Sequence, residues 1–376
     1  MGAPTEPTRP RPPLTAASEA HGELVIDAER WENGSDFQWW GLPEGPRSGE
    51  VPWSCGLLLF SGRDALRLVL AMGAAERGWR RLWVPDYFCQ HVLAAMQRPD
   101  LEMLMYPDNP LRAAPQLPEA RAGDVVFVMN YFGLRTRPDL RVPDGVEIIE
   151  DHSHDPGSAW AQGSRADFCV ASLRKTLPIS DGGVLWSPLG HRLPPAPPLT
   201  EQRRRAGATK LSAMMLKAMY LSGLPVEKDR YRALALKGER ALAYPAVCAM
   251  TEVSRGIVDS FPLDTWRRAR RDNRDVLVEA MGSAKWARVL EPAGDSVVFS
   301  FPFVVDTSQR RERIRARLIE ANVFPTVHWP LEQTVLPVGN EALDISRRLL
   351  SIHCDGRYAV ADMIRVAEVL KSSAED

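Results

Sequence analysis

Lysine is scarce in this 376-residue chain: of 47 basic residues only seven are lysines, and the first 174 residues contain none. The earliest, Lys175, ends Ser172-Leu173-Arg174-Lys175, directly after the apolar stretch DFCVAS (167–172), and is followed by Asp181-Gly182-Gly183. An amine can lose its proton and condense with a carbonyl to a Schiff base, whereas a guanidinium stays charged. A lysine at the end of a buried strand, with a Gly-Gly turn behind it, suits the mouth of a cofactor pocket. Glu150-Asp151 closes a second apolar run, VEIIED (146–151). The carboxyl ends of parallel strands are where α/β proteins gather ligands, and a carboxylate there can pair with a protonated ring nitrogen. Ser61-Gly62-Arg63-Asp64 follows a third run, GLLLF, and opens a helix. Free amides and the helix dipole make such a turn suited to a phosphate, and Ser61 with Asp64 reads as a capping box. Each feature alone also has a plain structural reading, as surface lysine, surface acid or N-cap.

Asp151-His152-Ser153-His154-Asp155 invites a metal reading. The spacing does not match the hydrolase pattern HxHxDH and no later histidine cluster supplies further ligands, so no metal is expected. The Ser-x-x-Lys of penicillin-binding hydrolases needs SDN and KTG partners, and neither tripeptide occurs. Asn130 and Tyr131, after VVFVM, and His328 and Trp329, in TVHWP, are weaker candidates for substrate contact. Packed aromatics and a satisfied histidine explain the last pair equally well.

These residues need elements to hold them. Short apolar runs at 56–60, 81–85, 101–106, 124–133, 146–151, 167–172 and 182–186 alternate with helical or loop segments, which predicts a large, mostly parallel α/β sheet with helices on both faces. Helices are predicted from 61, within 86–96, and over 201–223, 247–282, 310–321 and 358–371, with strands at 296–306 and 326–330. The last part reads as a smaller C-terminal α/β domain. The expected division is a disordered tail over 1–20, an arm over 21–50, a large cofactor-binding domain over 51–255 and a small domain over 256–376.

Composition narrows the function classes. The formal net charge of −1 argues against a nucleic-acid binder that neutralises phosphates. No run of 18 apolar residues exists, so no membrane span is expected. Five scattered cysteines without a CxxC suggest neither a disulfide framework nor a zinc ribbon, and a cytoplasmic, reducing setting is expected.

Taken in order, the segments SGRDAL (61–66), VPDYFCQ (84–90), VMNYFG (128–133), IIEDHSHDPGSAW (148–160), DFCVASLRKTLPISDGGVL (167–185) and TVHWPL (326–331) resemble a fold-type I pyridoxal-phosphate enzyme. The nearest likeness is to the DegT/DnrJ/EryC1/StrS aminotransferases, over about residues 55–370. The resemblance implies pyridoxal 5'-phosphate as cofactor, Lys175 as its Schiff-base lysine and Asp151 as the partner of its pyridine nitrogen. It further implies that Ser61, Gly62, Arg63 and Ser172 hold the phosphate and that His154 lies near the phenolic oxygen. Phe88, or else Tyr87, would stack on the ring, because Cys89 stands at the usual aromatic offset. Tyr87, Asn130 and His328 are candidate substrate contacts. The implied reaction is amino transfer from an amino acid donor to a carbonyl acceptor, such as a keto-sugar nucleotide or natural-product intermediate. Lyase, dehydratase or racemase chemistry and a non-catalytic cofactor-binding role remain alternatives. A homodimer with the active site at its interface is implied as well. Ser172 and Lys175 are three residues apart, against five in the family, and no NxRM loop is found, which marks a divergent branch.

Overall fold

A computed structural model describes residues 30–43, 51–242, 244–282 and 284–373 of the chain. The tail expected over 1–20 and part of the 21–50 arm lie outside these residues. The elements are, in order, β1 (Asn33–Gly34), β2 (Leu57–Leu59), α1 (Gly62–Glu76), β3 (Arg81–Pro85), α2 (Gln90–Met96), β4 (Glu102–Tyr106), β5 (Asp124–Met129), β6 (Glu147–Asp151), α3 (Ala159–Gln162), β7 (Phe168–Ala171) and β8 (Gly183–Trp186). They continue through α4 (Glu201–Leu221), α5 (Lys228–Ala241), α6 (Glu252–Ser260), α7 (Leu263–Met281), β9 (Ala287–Val289), β10 (Phe301–Val305), α8 (Ser308–Glu320), β11 (Val323–Phe324), α9 (Asn340–Arg348), β12 (Leu349–Ile352) and α10 (Val360–Ser372).

The large sheet has seven strands in the order β2-β8-β7-β6-β5-β3-β4. Strands β7, β6, β5, β3 and β4 pair in parallel, and only β8 runs against its neighbours β7 and β2. Every residue of β5 is buried, as a strand covered on both faces requires. Its residues alternate between two cores. Val125, Phe127 and Met129 join Leu66, Val69 and Leu70 of α1 on one face. Val126 and Val128 join Trp160, Ile257 and Trp266 on the other. Full burial of one such side chain stabilises by about 1.5–3 kcal/mol. A single reversal of register would swap the two sets.

A second sheet, β12-β10-β9, is antiparallel throughout and carries α8, with α10 packed against α8 and α7. On α10 the buried residues are Met363, Val366, Ala367 and Leu370, the face read from the sequence. Several local expectations are corrected. The helix expected over 247–282 is two helices, because Pro262 forces Phe261 into the extended region (ψ 130°). The strand expected at 326–330 is a loop bound by prolines, with a lone bridge between Thr326 and Ser351. The capping box at α1 is half made. Ser61 accepts from the Asp64 amide, but the Asp64 carboxylate turns inward to Arg203 and Arg67 instead. Burial pushes that carboxyl up to about 6. Residues 30–43 lie against the body: Trp31 donates to Asp362 (2.9 Å) and Trp40 packs edge-on against Trp266.

Candidate active site

Four strand ends meet at one edge of the large sheet. Asn130 follows β5, Asp151 ends β6, Ser172 follows β7, and the Ser61-Gly62 turn links β2 to α1. Two glycines let these backbones touch. A Cβ on Gly62 would sit 2.9 Å from the Ser172 Cβ, and one on Gly183 would sit 2.2 Å from the Ser61 carbonyl. The glycines therefore bring the first turn of α1 against the Ser172–Lys175 turn, which no larger residue would permit.

Lys175 ends a short 3-10 turn, Leu173–Lys175. Its amine lies over the Trp329 ring, 6.0 Å from the centroid. Burial holds the amine below the usual lysine range, opposed by the nearby Asp151 carboxylate. Asp151 is buried, and its Oδ1 accepts the Ser153 amide at 2.7 Å. The Ser153 hydroxyl in turn accepts the Ser172 amide at 2.8 Å. This chain of bonds ties the carboxylate of β6 to the turn that carries Lys175.

His154 is the most informative residue of the group. Its Nδ1 accepts the Phe132 backbone N–H at 2.8 Å, so the neutral ring must carry its proton on Nε2. That Nε2 is buried and has no partner. Burial, with the Lys175 charge nearby, keeps the ring well below the ordinary histidine range, and therefore neutral. The ring is fixed by stacking on Phe299 (4.7 Å between centroids, 10° between planes) and Trp329 (5.9 Å, 23°). Asn130 resembles it. Its Oδ1 accepts the Arg135 amide at 3.2 Å while its buried Nδ2 has no partner. Two buried donors without acceptors, at adjacent strand ends, are costly unless a ligand supplies the acceptors.

The other expected residues fall as follows. The Ser61 hydroxyl is occupied in capping α1. The Arg63 guanidinium turns away to Glu239 on α5, leaving the backbone of its turn to face the site. Phe88 is wedged between Phe127 and Trp329, the ring over which the Lys175 amine also lies, and Cys89, directly after Phe88, caps the start of α2. Tyr87 is fully buried, and its hydroxyl donates to the His328 carbonyl. His328 faces His154 and Phe132 edge-on, and burial holds it down to about 3. Phe132 and Phe299, which complete the wall around His154, carried no recognisable signal in the sequence.

Glu150 and His152 point to the other side of β6. With Cys169 they bring three potential ligand atoms within 4.8 Å of one another. Glu150 Oε2 sits at the centre of this group, taking bonds from His152 Nε2 (2.9 Å), Ser164 Oγ (2.7 Å) and the Cys169 thiol (3.7 Å). A carboxylate oxygen therefore occupies the middle position. The HxH motif does not converge, because His152 and His154 lie on opposite sides.

No protein-family model matches the sequence, and no curated protein matches it. Among solved structures, the chain is similar to the aminotransferase TlmJ from Streptoalloteichus hindustanus, at 14% identity and TM-score 0.56, covering 85% of each chain. It is similar to NtdA from Bacillus subtilis with bound cofactor PMP, at 13% identity and TM-score 0.57, covering 85% of this chain and 73% of that one. DesI in the presence of its TDP-sugar product gives 17% identity and TM-score 0.54, covering 85% and 80%. At these identities the likeness establishes the fold, which is the fold-type I transferase architecture expected from the sequence.

Proposed function

We propose that this chain is a pyridoxal-phosphate-dependent aminotransferase that moves an amino group from an amino acid to a carbonyl acceptor, a keto-sugar nucleotide or natural-product intermediate. One observation carries the reading: a buried lysine amine stands near a buried carboxylate at the strand ends, where two buried side-chain donors lack acceptors. The residues fit the cofactor. Lys175 would hold it covalently, Asp151 would pair with its ring nitrogen, and His154 Nε2 and Asn130 Nδ2 would donate to its ring oxygen or to substrate. The Ser172 hydroxyl and the first-turn amides of α1 would bind its phosphate. When bound, pyridoxal phosphate supplies an electron sink for the carbanion left when a substrate C–H bond breaks.

The protein's own groups then do four things. The Asp151 carboxylate stabilises a positive charge on a ring nitrogen placed against it. Burial lowers the proton affinity of the Lys175 amine, and Nζ, once unprotonated, can take up a proton and return it. Neutral His154 offers a donor without adding a charge. Trp329 lies against the amine, and Phe132, Phe299 and Trp329 fix the His154 ring.

DesI is described with a TDP-sugar product, which supports a sugar-nucleotide acceptor. We read the protein as a homodimer with the site at the interface, as the resemblance implies. The described residues contain no helix long and apolar enough to cross a membrane, and all five cysteines are free, which supports a reducing compartment. The decisive experiment is borohydride reduction of the purified protein, followed by peptide mapping. The cofactor should be found on Lys175. Its recovery on another lysine sinks the assignment. Incubation with glutamate or glutamine, then with a panel of keto-sugar nucleotides, tests amino transfer by mass of the products.

A further inference from the structure

Beside the site lies a cluster of charge that the proposed chemistry does not use. Arg63, on the first turn of α1, and Arg174, which immediately precedes Lys175, both reach one carboxylate, that of Glu239 on α5. Arg174 binds it through two bonds (Nη1 to Oε2 at 3.0 Å, Nη2 to Oε1 at 2.8 Å), and Arg63 through one long contact of 3.4 Å. Lys210 of α4 lies 3.7 Å from the same carboxylate and 2.9 Å from Asp36. Three cations thus share two acids. The Arg174 Nε is buried with no partner at all. The two guanidinium side chains are 17% exposed each, while Glu239 is 38% exposed. Of the groups that meet at this carboxylate, Glu239 itself is more open to solvent than either guanidinium.

We infer that the Arg63–Arg174 pair is the seat for an anionic group of the substrate, a carboxylate or a phosphate, and that Glu239 occupies this seat until such a group displaces it. The inference rests on the proposed chemistry at Lys175, because Arg174 is joined to that residue in sequence and Gly62 packs on its turn. Planar guanidiniums match both anions bidentately. A free anion, a phosphate or a dicarboxylate not tethered to α5, can supply the missing acceptor for Arg174 Nε and a shorter partner for Arg63. Two sources carry this chemistry: the carboxylates of an amino donor, and the diphosphate of a sugar-nucleotide acceptor. A purely structural ion pair that pins α5 to α1 predicts neither exchange nor anion binding.

The test is calorimetric titration of the cofactor-loaded protein, whose cofactor phosphate site is already filled, with two unreactive probes. Glutarate stands for the donor carboxylates, and inorganic pyrophosphate for the diphosphate. The wild type should bind one of them saturably. Glu239→Gln should tighten that binding about threefold or more by removing the internal competitor. Arg174→Gln and Arg63→Gln should each weaken it about tenfold, as expected for loss of a charge-assisted bond. Preference for glutarate or for pyrophosphate identifies the source. Absence of saturable binding of both probes overturns the inference, as does Glu239→Gln binding them no tighter than wild type. Glu239→Gln keeps the side-chain size, so the result stands even where an arginine variant fails to fold. A wild type without a visible cofactor band would break the assignment of Lys175 and still leave the glutarate titration readable, since glutarate carries no phosphate and reacts with neither a carbonyl nor an amine.

Discussion

Strand β6 and the residues after it build two polar clusters back to back. On one side, Glu150 gathers His152, Ser164 and Cys169 around a single carboxylate oxygen. On the other, Asp151 and His154 stand near Lys175, Asn130 bonds to the Asp151 backbone, and His154 and Asn130 carry side-chain donors without acceptors. Both clusters are buried and both combine acids with histidine. They differ in how far their bonds are completed. In the Glu150 cluster the His152, Ser164 and Cys169 donors all find Glu150 Oε2, and with His152 donating through Nε2 its acceptor Nδ1 stays open. The Lys175 cluster leaves donors open at a strand edge. A completed network rigidifies the fold, whereas an incomplete one waits for an outside partner. The same contrast underlies the proposed division between structural and functional use of near-identical residues two positions apart.

The contrast can be broken at several points. The largest effect is expected from Lys175→Ala, which removes the visible cofactor band and lowers turnover by at least about 10⁴-fold, the upper range for loss of a positioned base. An absorbance spectrum and a coupled assay check this, and retained turnover would end the comparison. Asp151→Asn should keep the cofactor bound and slow turnover about 10²–10³-fold, in the range for removing one electrostatic stabiliser. The check is kcat alongside cofactor content.

Glu150→Gln should act on stability and hardly on activity. It leaves three donors facing an amide, which costs about 1–3 kcal/mol, while turnover per folded molecule stays within about twofold of wild type. Urea unfolding with an activity assay at matched folded fraction decides it. An activity loss comparable to that of Asp151→Asn would erase the distinction between the two sides.

The smallest effects lie on the pH axis. His154 is held well below its ordinary value, and His328 at about 3. The unfolded chain therefore takes up protons near pH about 6.5 before the folded one does, and stability falls as the pH drops below that point. Glu150 is lowered despite burial, chiefly by His152. Its contribution is present above about pH 4.3 and is lost only below it as the folded carboxylate is protonated. His154→Gln should flatten the fall in Tm between about pH 6.5 and 5 and reduce turnover less than about tenfold, because a glutamine amide can still donate. A Tm profile superimposable on that of the wild type would show that His154 is not kept neutral by folding.

Much of this was legible before any coordinates. The apolar runs and the Ser-Gly, Glu-Asp and Ser-x-x-Lys punctuation placed the strand ends, since period-two burial and helix caps are local properties. Scarcity of lysine singled out Lys175, because in this chain positive charge is otherwise written as arginine. Other features were hidden. The α5 helix and its Glu239 showed no chemistry of their own, and their meaning comes from Arg63 and Arg174, residues 176 and 65 positions away. The Asp64 carboxylate looked like half of a capping box and turned instead to Arg203, 139 positions on. Neither Phe299 nor Trp329 announced that it would stack on His154.

Chain chemistry alone decided which amine could act and that it would follow a buried strand, because residue type and local periodicity belong to the neighbourhood in sequence. Only the assembled molecule decided that His152 and His154 would part company, that the Lys175 amine would lie over Trp329, and that two arginines would share one carboxylate. Those outcomes depend on which side of the sheet a side chain faces and on what distant segments bring against it, and both are set by packing across the whole chain.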